Sequence, residues 1–495
     1  MFRIRIIAPI VPALVVSIVL AVAMRTADHD WGDDFAAYIM QAVSILHGTE
    51  QHEVARSAFA VRESSRYFGP VAAPWGFPAL LAPVYAACGG LNIRCLKLAN
   101  VPMFALFVLA FFLFLRSRLA LADAVLVASA VAVNPVFLDF QNNVLSDIAF
   151  LGLSTLGVLL VDRIIVRPNR PEGSPGGNAA IGVAIFLAFF VRANGALLVP
   201  TLLITQAALW LRTNGRRRPA RRLVVVAAVP YAVFGLLVAG LLAVFPTAGT
   251  SDVSHYGALT FAQILANISA YLVLPSVFFW SLTFYELFYG ALIPFLLCGL
   301  VWFWKDDLHL AAYSGLTVIL FVLWPEQQGL RYLFPILPFL VYFCYRGMRV
   351  SAFGLTERYR RAGDWLTLGV WTGVLVSFLL ASIRLALHPT PLAGPFQPAT
   401  TAMFEAVRQQ AAPGDVVIFD KPRLMRLMTD RDAILIDRCD ELAKGRFVVV
   451  RKAGGATAQI APGEIATCDP ALELTRVFDN RLYAVYRIAR RPGPA

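Results

Sequence analysis

The chain has 495 residues, 58% of them hydrophobic and only 15% charged, which is too apolar for a soluble protein whose surface must be covered by charge. A net charge of +12 would suit nucleic-acid binding in a soluble domain, but the arginines stand in short runs between apolar segments, as the positive-inside rule expects of a membrane protein. Six cysteines without a CxxC spacing exclude a recognisable zinc or redox motif.

A spanning helix needs about 20 mostly apolar residues. The first such run covers 6–24, behind Arg3 and Arg5. Ala21, Val22 and Ala23 resemble a signal-peptidase site, yet the apolar stretch is longer than a signal core, so an uncleaved anchor is expected. A polar stretch follows as far as Phe77. Within it, WGDDFAAYIMQAVSILHG reads as a helix with Asp33 and Asp34 in its first turn, Tyr38, Ala42 and Ile45 on one stripe, and Gly48 as its stop. The piece PWGFPALLAPVYAACGG carries Pro74, Pro78 and Pro83 and is too short to cross, so it is expected at the interface or dipping into the protein.

Further spans are expected near 95–115, 122–138, 147–161, 179–191, 197–211 and 223–245, then near 286–304, 308–324, 332–345 and 366–385. The segment 268–284 is expected not to cross. With that parity, RSR (116–118), DRIIVRPNR (162–170), NGRRRPARR (214–222), KDD (305–307) and the basic stretch 345–361 all lie inside. After Pro389, AMFEAVRQQ reads as an amphipathic helix, and VVIFD, AILID, RFVVVR and RLYAVYRI read as strands. The predicted architecture is an all-α polytopic membrane bundle (1–388) of about eleven spans plus interfacial helices, with a small C-terminal soluble α/β domain (389–495) outside the cytoplasm. That domain holds Cys439 and Cys468, for which a disulfide and two buried thiols both stay open.

By the same parity one outer face collects 28–73, DFQNNVLSD (139–147), VRANG (191–195), FPTAGTSDVSHYG (245–257) and WPEQQGLRY (324–332). Acids, amides, arginines and tyrosines gathered there suggest a polar cavity at the membrane surface, because ionisable groups at membrane depth are costly without a partner or water. For Asp33, Asp34 and Asp147 the residues alone leave two readings open, helix capping and a catalytic carboxylate. For Arg331 they leave snorkelling to the interface and capture of a lipid phosphate.

Taken in order and spacing, DDFAAYIMQAVSILHG in a large first outer loop, PWGFPALLAP, LSDIAFLGL, RANGALLVP and RYLFPILPF resemble the C-type glycosyltransferase (GT-C) superfamily over residues 1–385. Within it the chain is similar to protein O-mannosyltransferases and lipid A aminoarabinose transferases, and KPRLMRLMTDR resembles a segment of the periplasmic module that ends bacterial relatives. The resemblance implies a membrane enzyme of the bacterial inner membrane. Such an enzyme moves a sugar from a polyprenyl-phosphate donor to an acceptor hydroxyl of a lipid, glycan or protein on the periplasmic face, with inversion. It places the catalytic acid on Asp34, four positions before Tyr38, with Asp33 one place earlier in a departure from the usual Asp-Glu order. It implies donor-phosphate binding by Arg331 and Tyr332, followed by Pro335 as in the family's RYxxP signature, and by Arg192 of RANG. Asp147, Asn143 and Glu326 are implied on the acceptor side or in support. No His/Glu ligand spacing argues for a divalent cation, and none is excluded. A transporter or lipid-linked-sugar flippase is the alternative reading; it would be expected to show paired broken helices and an internal repeat, and neither is evident.

Overall fold

The computed structural model describes residues 7–214, 221–247, 259–325, 327, 329–351, 357–392, 394–452, 459–460 and 463–491. The helices of the first half are α1 (Val11–Ala23), α2 (Asp34–His47), α3 (Glu50–Glu63), α4 (Gly76–Ala87), α5 (Ile93–Arg116), α6 (Leu121–Ala132), α7 (Pro135–Phe140), α8 (Asp147–Val161) and α9 (Pro175–Val191). There follow α10 (Leu198–Asn214), α11 (Arg221–Val244), α12 (Phe261–Val273), α13 (Tyr285–Phe303), α14 (Leu308–Val322), α15 (Leu337–Ser351) and α16 (Glu357–Leu387). Seven helical segments among the described residues are long and apolar enough to cross a membrane, and five shorter helices are also apolar. The chain is a multi-pass membrane protein with a small C-terminal sheet domain.

Contacts sort the connections onto two ends of the bundle. At one end Arg118 pairs with Asp162 at 2.5 Å and Asp307 at 2.6 Å, and Arg346 reaches Asp307 at 3.1 Å, so four of the basic connections meet there. At the other end meet Asp34, Asp147, Arg192 and Arg331. The two segments expected not to cross both make contacts near this second end, although Phe261–Phe279 is itself one of the seven helices long and apolar enough to cross. α4 begins against the backbone of Phe190 and Val191 and ends at Cys88, disulfide-bonded to Cys95 at the start of α5. α12 is held near the same end: Asn267 donates to the carbonyls of Val322 and Trp324, while Trp280, just beyond its 3-10 extension, stands with Arg331 around one cavity.

Proline and cap chemistry explain where observed elements depart from the expected ones. The span expected at 332–345 starts at Leu337, because Pro335 and Pro338 lack amide hydrogens and the preceding turn, Leu330–Leu333, is a 3-10 helix. The expected 122–138 helix breaks at Asn134, whose Oδ1 accepts from the Val136 and Phe137 amides and starts α7 afresh. Thr260 caps α12 seven residues earlier than the 268–284 reading, accepting from the Gln263 amide at 3.2 Å. Close backbone approach holds α13 to α15: a Cβ on Gly347 would lie 1.8 Å from the Phe295 carbonyl oxygen.

The C-terminal sheet has the order β2-β1-β3-β5-β4, with β1 (Val416–Ile418), β2 (Asp432–Ile434), β3 (Phe447–Arg451), β4 (Leu472–Asp479) and β5 (Tyr483–Arg490). β1 pairs parallel with β2 and β3; β5 pairs antiparallel with β3 and β4. α17 (Pro398–Gln410) precedes the sheet, and α18 (Pro422–Thr429) is the crossover between the parallel strands β1 and β2. The edge strand β4 is absent from the sequence reading because LELTRVFD buries little of either face. Cys439 and Cys468 form a disulfide, the first of the two readings left open; Cys88–Cys95 was not anticipated.

Candidate active site

Four connections bring the expected residues to the end of the bundle opposite Arg118 and Asp307. Asp34 is the first residue of α2, Asp147 opens α8, Arg192 ends α9 in extended backbone, and Arg331 sits in the 3-10 turn before α15. None of the three aspartates caps its own helix, since no side-chain cap bond is made at the start of α2 or α8. The Asp34 and Asp147 carboxylates face arginines instead, and Asp33 takes a backbone amide of the C-terminal module.

Asp147 is buried, with 2% of its side chain exposed, and pairs directly with Arg192; Arg331 stands 4.0 Å from its other oxygen. Arg331 also approaches Asp34 at 3.4 Å and the Tyr332 hydroxyl at 3.1 Å. The Tyr332 ring takes both cations, with the Arg192 and Arg331 guanidiniums 4.8 and 4.9 Å from its centroid. Burial works against the charge of Arg331, but Asp147, Tyr332 and Asp34 more than offset it, so its pKa is raised; Arg192 is raised in the same way, chiefly by Asp147. The two arginines differ in tightness. Arg192 is locked onto Asp147, whereas Arg331 has only long contacts to acids and lines a cavity of about 550 Å³. Met24, Phe140, Val277, Trp280, Phe334 and Leu385 make that cavity largely apolar, with Asp139, Asn142 and Arg331 as polar groups at its wall.

The two adjacent acids are in different settings. Asp34 leaves 44% of its side chain exposed. Asp33 accepts from the Leu424 amide at 3.1 Å through Oδ1, while its Oδ2 is buried with no hydrogen-bond partner. Burial raises the Asp33 carboxyl above its ordinary value, against the pull of Arg423 and the Leu424 amide. One turn after Asp34, Tyr38 bonds Ser146 at 2.9 Å, and burial pushes its phenol up to about 12, so it stays neutral. His29, buried and stacked on Phe35 at 3.9 Å, accepts from the Val144 amide and ties the segment before α2 to the loop before Asp147.

Of the other expected residues, Asn143 offers its carbonyl to Asn100 at 2.7 Å, and its own side-chain oxygen is buried without a partner. Glu326 lies outside the described residues, as does most of 245–257. Among the described residues no group of three or more His, Cys, Asp or Glu side chains converges as a metal site would require.

Neither a protein-family model nor a curated protein matches the sequence. Solved structures do match its shape. ArnT from Cupriavidus metallidurans in the apo state superposes with a TM-score of 0.55 at 15% identity, covering 96% of this chain and 97% of that one. The same protein bound to undecaprenyl phosphate gives 0.56 at 13% identity over 97% and 98%. The Archaeoglobus fulgidus oligosaccharyltransferase in the apo form gives 0.58 at 12% identity over 94% of this chain and 72% of that one. The chain has the GT-C fold. In this GT-C fold the match to ArnT runs through the C-terminal module as well as the membrane bundle.

Sequence reasoning missed Arg423. Its guanidinium lies 3.8 Å from Asp34 Oδ1, although it comes from the sheet domain. The KPRLMRLMTDR resemblance marked the segment without marking what it touches. Nothing in local sequence links residue 423 to residue 34.

Proposed function

We propose that this protein is a membrane glycosyltransferase of the bacterial inner membrane, moving a sugar from a polyprenyl-phosphate donor to an acceptor hydroxyl on the periplasmic face with inversion. The observation that carries this reading is the pairing of a half-open carboxylate, Asp34, with a loosely held arginine, Arg331, that also faces a largely apolar cavity. An isoprenoid phosphate has that combination of needs: an apolar groove for the tail and a guanidinium for the phosphate. ArnT in complex with undecaprenyl phosphate supports such a carrier, and the basic connections gathered at the opposite end support an outward-facing site.

In the proposed reaction the acceptor oxygen attacks the anomeric carbon from the face opposite the phosphate, and Asp34 takes the hydroxyl proton. The bond between the anomeric carbon and the phosphate oxygen breaks, and the electron pair leaves with the polyprenyl phosphate. Arg331 neutralises that developing charge, a role in which a preset cation lowers the barrier. Tyr332 and Asp147 hold Arg331 in place, and Arg192 holds Asp147. Asn143, in the loop that leads into Asp147, is assigned a supporting role on the acceptor side. General-base catalysis of this kind contributes about 10²- to 10⁴-fold.

Undecaprenyl phosphate binding to the purified protein tests the donor half. Arg331→Ala should weaken binding by about tenfold or more while Arg331→Lys retains part of it, as expected for a charge-assisted contact worth roughly 1.5–3 kcal/mol. Unchanged affinity in Arg331→Ala would remove Arg331 from the donor site.

A further inference from the structure

We propose that the C-terminal module completes the active site: Asp33 docks helix α18, and the docked helix delivers Arg423 as the positioning residue that fixes the carboxylate of Asp34. This rests on the glycosyltransferase reading above and gives the soluble module a role in it.

The docking follows from helix-end chemistry. α18 opens with Pro422 and has no side-chain cap of its own. Its Leu424 amide is bonded instead by Asp33 Oδ1 at 3.1 Å, from a residue 391 positions away. A carboxylate on an unsatisfied N-terminal amide is the favourable arrangement for a helix end, here made between two parts of the chain. Around it, Arg426 pairs with Glu53 and bonds Ser57 at 3.0 Å, while Arg56 bonds Asp430 and Asp432, each at 2.8 Å. Arg451 of β3 stacks 4.1 Å from the Trp31 ring, two residues before Asp33. The module is thus seated on the same loop that carries the acidic pair.

Arg423 is held against the acidic pair. Its side chain is only 7% exposed, it donates to the Pro70 carbonyl, and it lies 5.2 Å from the Phe68 ring. Gly69, at φ +134°, leaves the room it occupies; a Cβ there would come within 2.8 Å of Arg423 Nη2. Its ion-pair contact is Asp34 Oδ1 at 3.8 Å, with its charge acting on Asp33 as well, while Arg331 stands 3.4 Å from Asp34 Oδ2. The two oxygens of one carboxylate therefore face cations from two different parts of the fold. The adjacent aspartates divide the work: Asp33 is a dock with no oxygen open to an acceptor, and Asp34 is the reacting group that Arg423 aims.

The test uses the full chain in proteoliposomes supplied with radiolabelled polyprenyl-phosphate sugars, with hydrogen exchange of residues 422–426 as a second readout. Arg423→Ala should cut the transfer rate at saturating donor by about tenfold or more, the scale of a misplaced catalytic group, with donor KM within about twofold and exchange protection unchanged. Arg423→Lys should recover part of the rate. Asp33→Asn, which keeps an oxygen for the Leu424 amide, should hold its protection, and Asp33→Ala should lose it. If Arg423→Ala keeps more than half the rate while Asp34→Asn is inactive, the positioning role is overturned and the glycosyltransferase reading stands. If Asp34→Asn is fully active, that reading falls and the positioning role with it. The exchange data still decide the docking, which unchanged Leu424 protection in Asp33→Ala would overturn.

Discussion

Replacing Asp147 by asparagine removes one charge and almost no volume from the centre of the site. Arg192 would then keep a guanidinium that is 16% exposed and has lost the carboxylate it contacts directly. Breaking a buried ion pair by removing one partner costs about 3–5 kcal/mol, because the other charge stays desolvated. The residual exposure of Arg192 and the hydrogen bond an amide can still accept reduce this, and we expect about 2–3 kcal/mol. A double-mutant cycle isolates the pair: Asp147→Asn, Arg192→Gln and the double variant, each followed by denaturant unfolding of the purified protein in detergent. The double variant should recover part of the loss suffered by Asp147→Asn, giving a coupling of about 1.5 kcal/mol or more. Sugar transfer should fall in the two variants that lose Asp147, since Arg331 there loses one of the two acids that hold it, and less in Arg192→Gln, which keeps both acids. Additivity to within about 0.5 kcal/mol would show that the two side chains do not act as a buried pair, and the support assigned to Arg331 would go with it.

Other substitutions probe the scaffold. Gly347→Ala must push α15 off α13, where the added carbon meets a backbone oxygen, and should cost about 1–3 kcal/mol in thermal stability; Gly369→Ala, with open space around it on α16, should cost far less. Cys439→Ser opens a disulfide spanning 29 residues of the sheet domain and should destabilise that domain by about 3 kcal/mol on loop-closure entropy, read as faster proteolysis of the module with the membrane bundle intact. Arg118→Met strands the buried carboxylate of Asp162 and leaves Asp307 with Arg346 as its remaining arginine, and should lower the melting temperature more than Arg116→Met, whose side chain bonds the Leu119 carbonyl and pairs with no acid among the described residues.

The membrane part was legible because its signals are local. Apolar runs, proline positions and arginine-rich connections mark spans one segment at a time, and four of the basic segments do meet around Arg118 and Asp307. The order of short motifs pointed to the right fold even though no family model matches. What was not legible depends on distant partners. An aspartate in a first turn reads as a cap, yet Asp33 caps a helix 391 residues away and Asp147 serves two arginines. Cys88–Cys95 and the edge strand β4 escaped for a related reason, since the first is set by how α4 folds back on α5 and the second by a neighbour, β5, rather than by its own pattern.

The central claim is that Asp34 is the carboxylate at which sugar transfer happens. Membranes containing radiolabelled polyprenyl-phosphate sugars, with wild type and Asp34→Asn at equal protein levels, test it most directly. The expected result is transfer to an acceptor by the wild type and a loss of about a hundredfold or more in Asp34→Asn, with the variant as stable as its parent. Transfer at the wild-type rate by Asp34→Asn would contradict the mechanism, and an uptake or flipping defect on deletion, with sugar transfer intact, would favour a transporter.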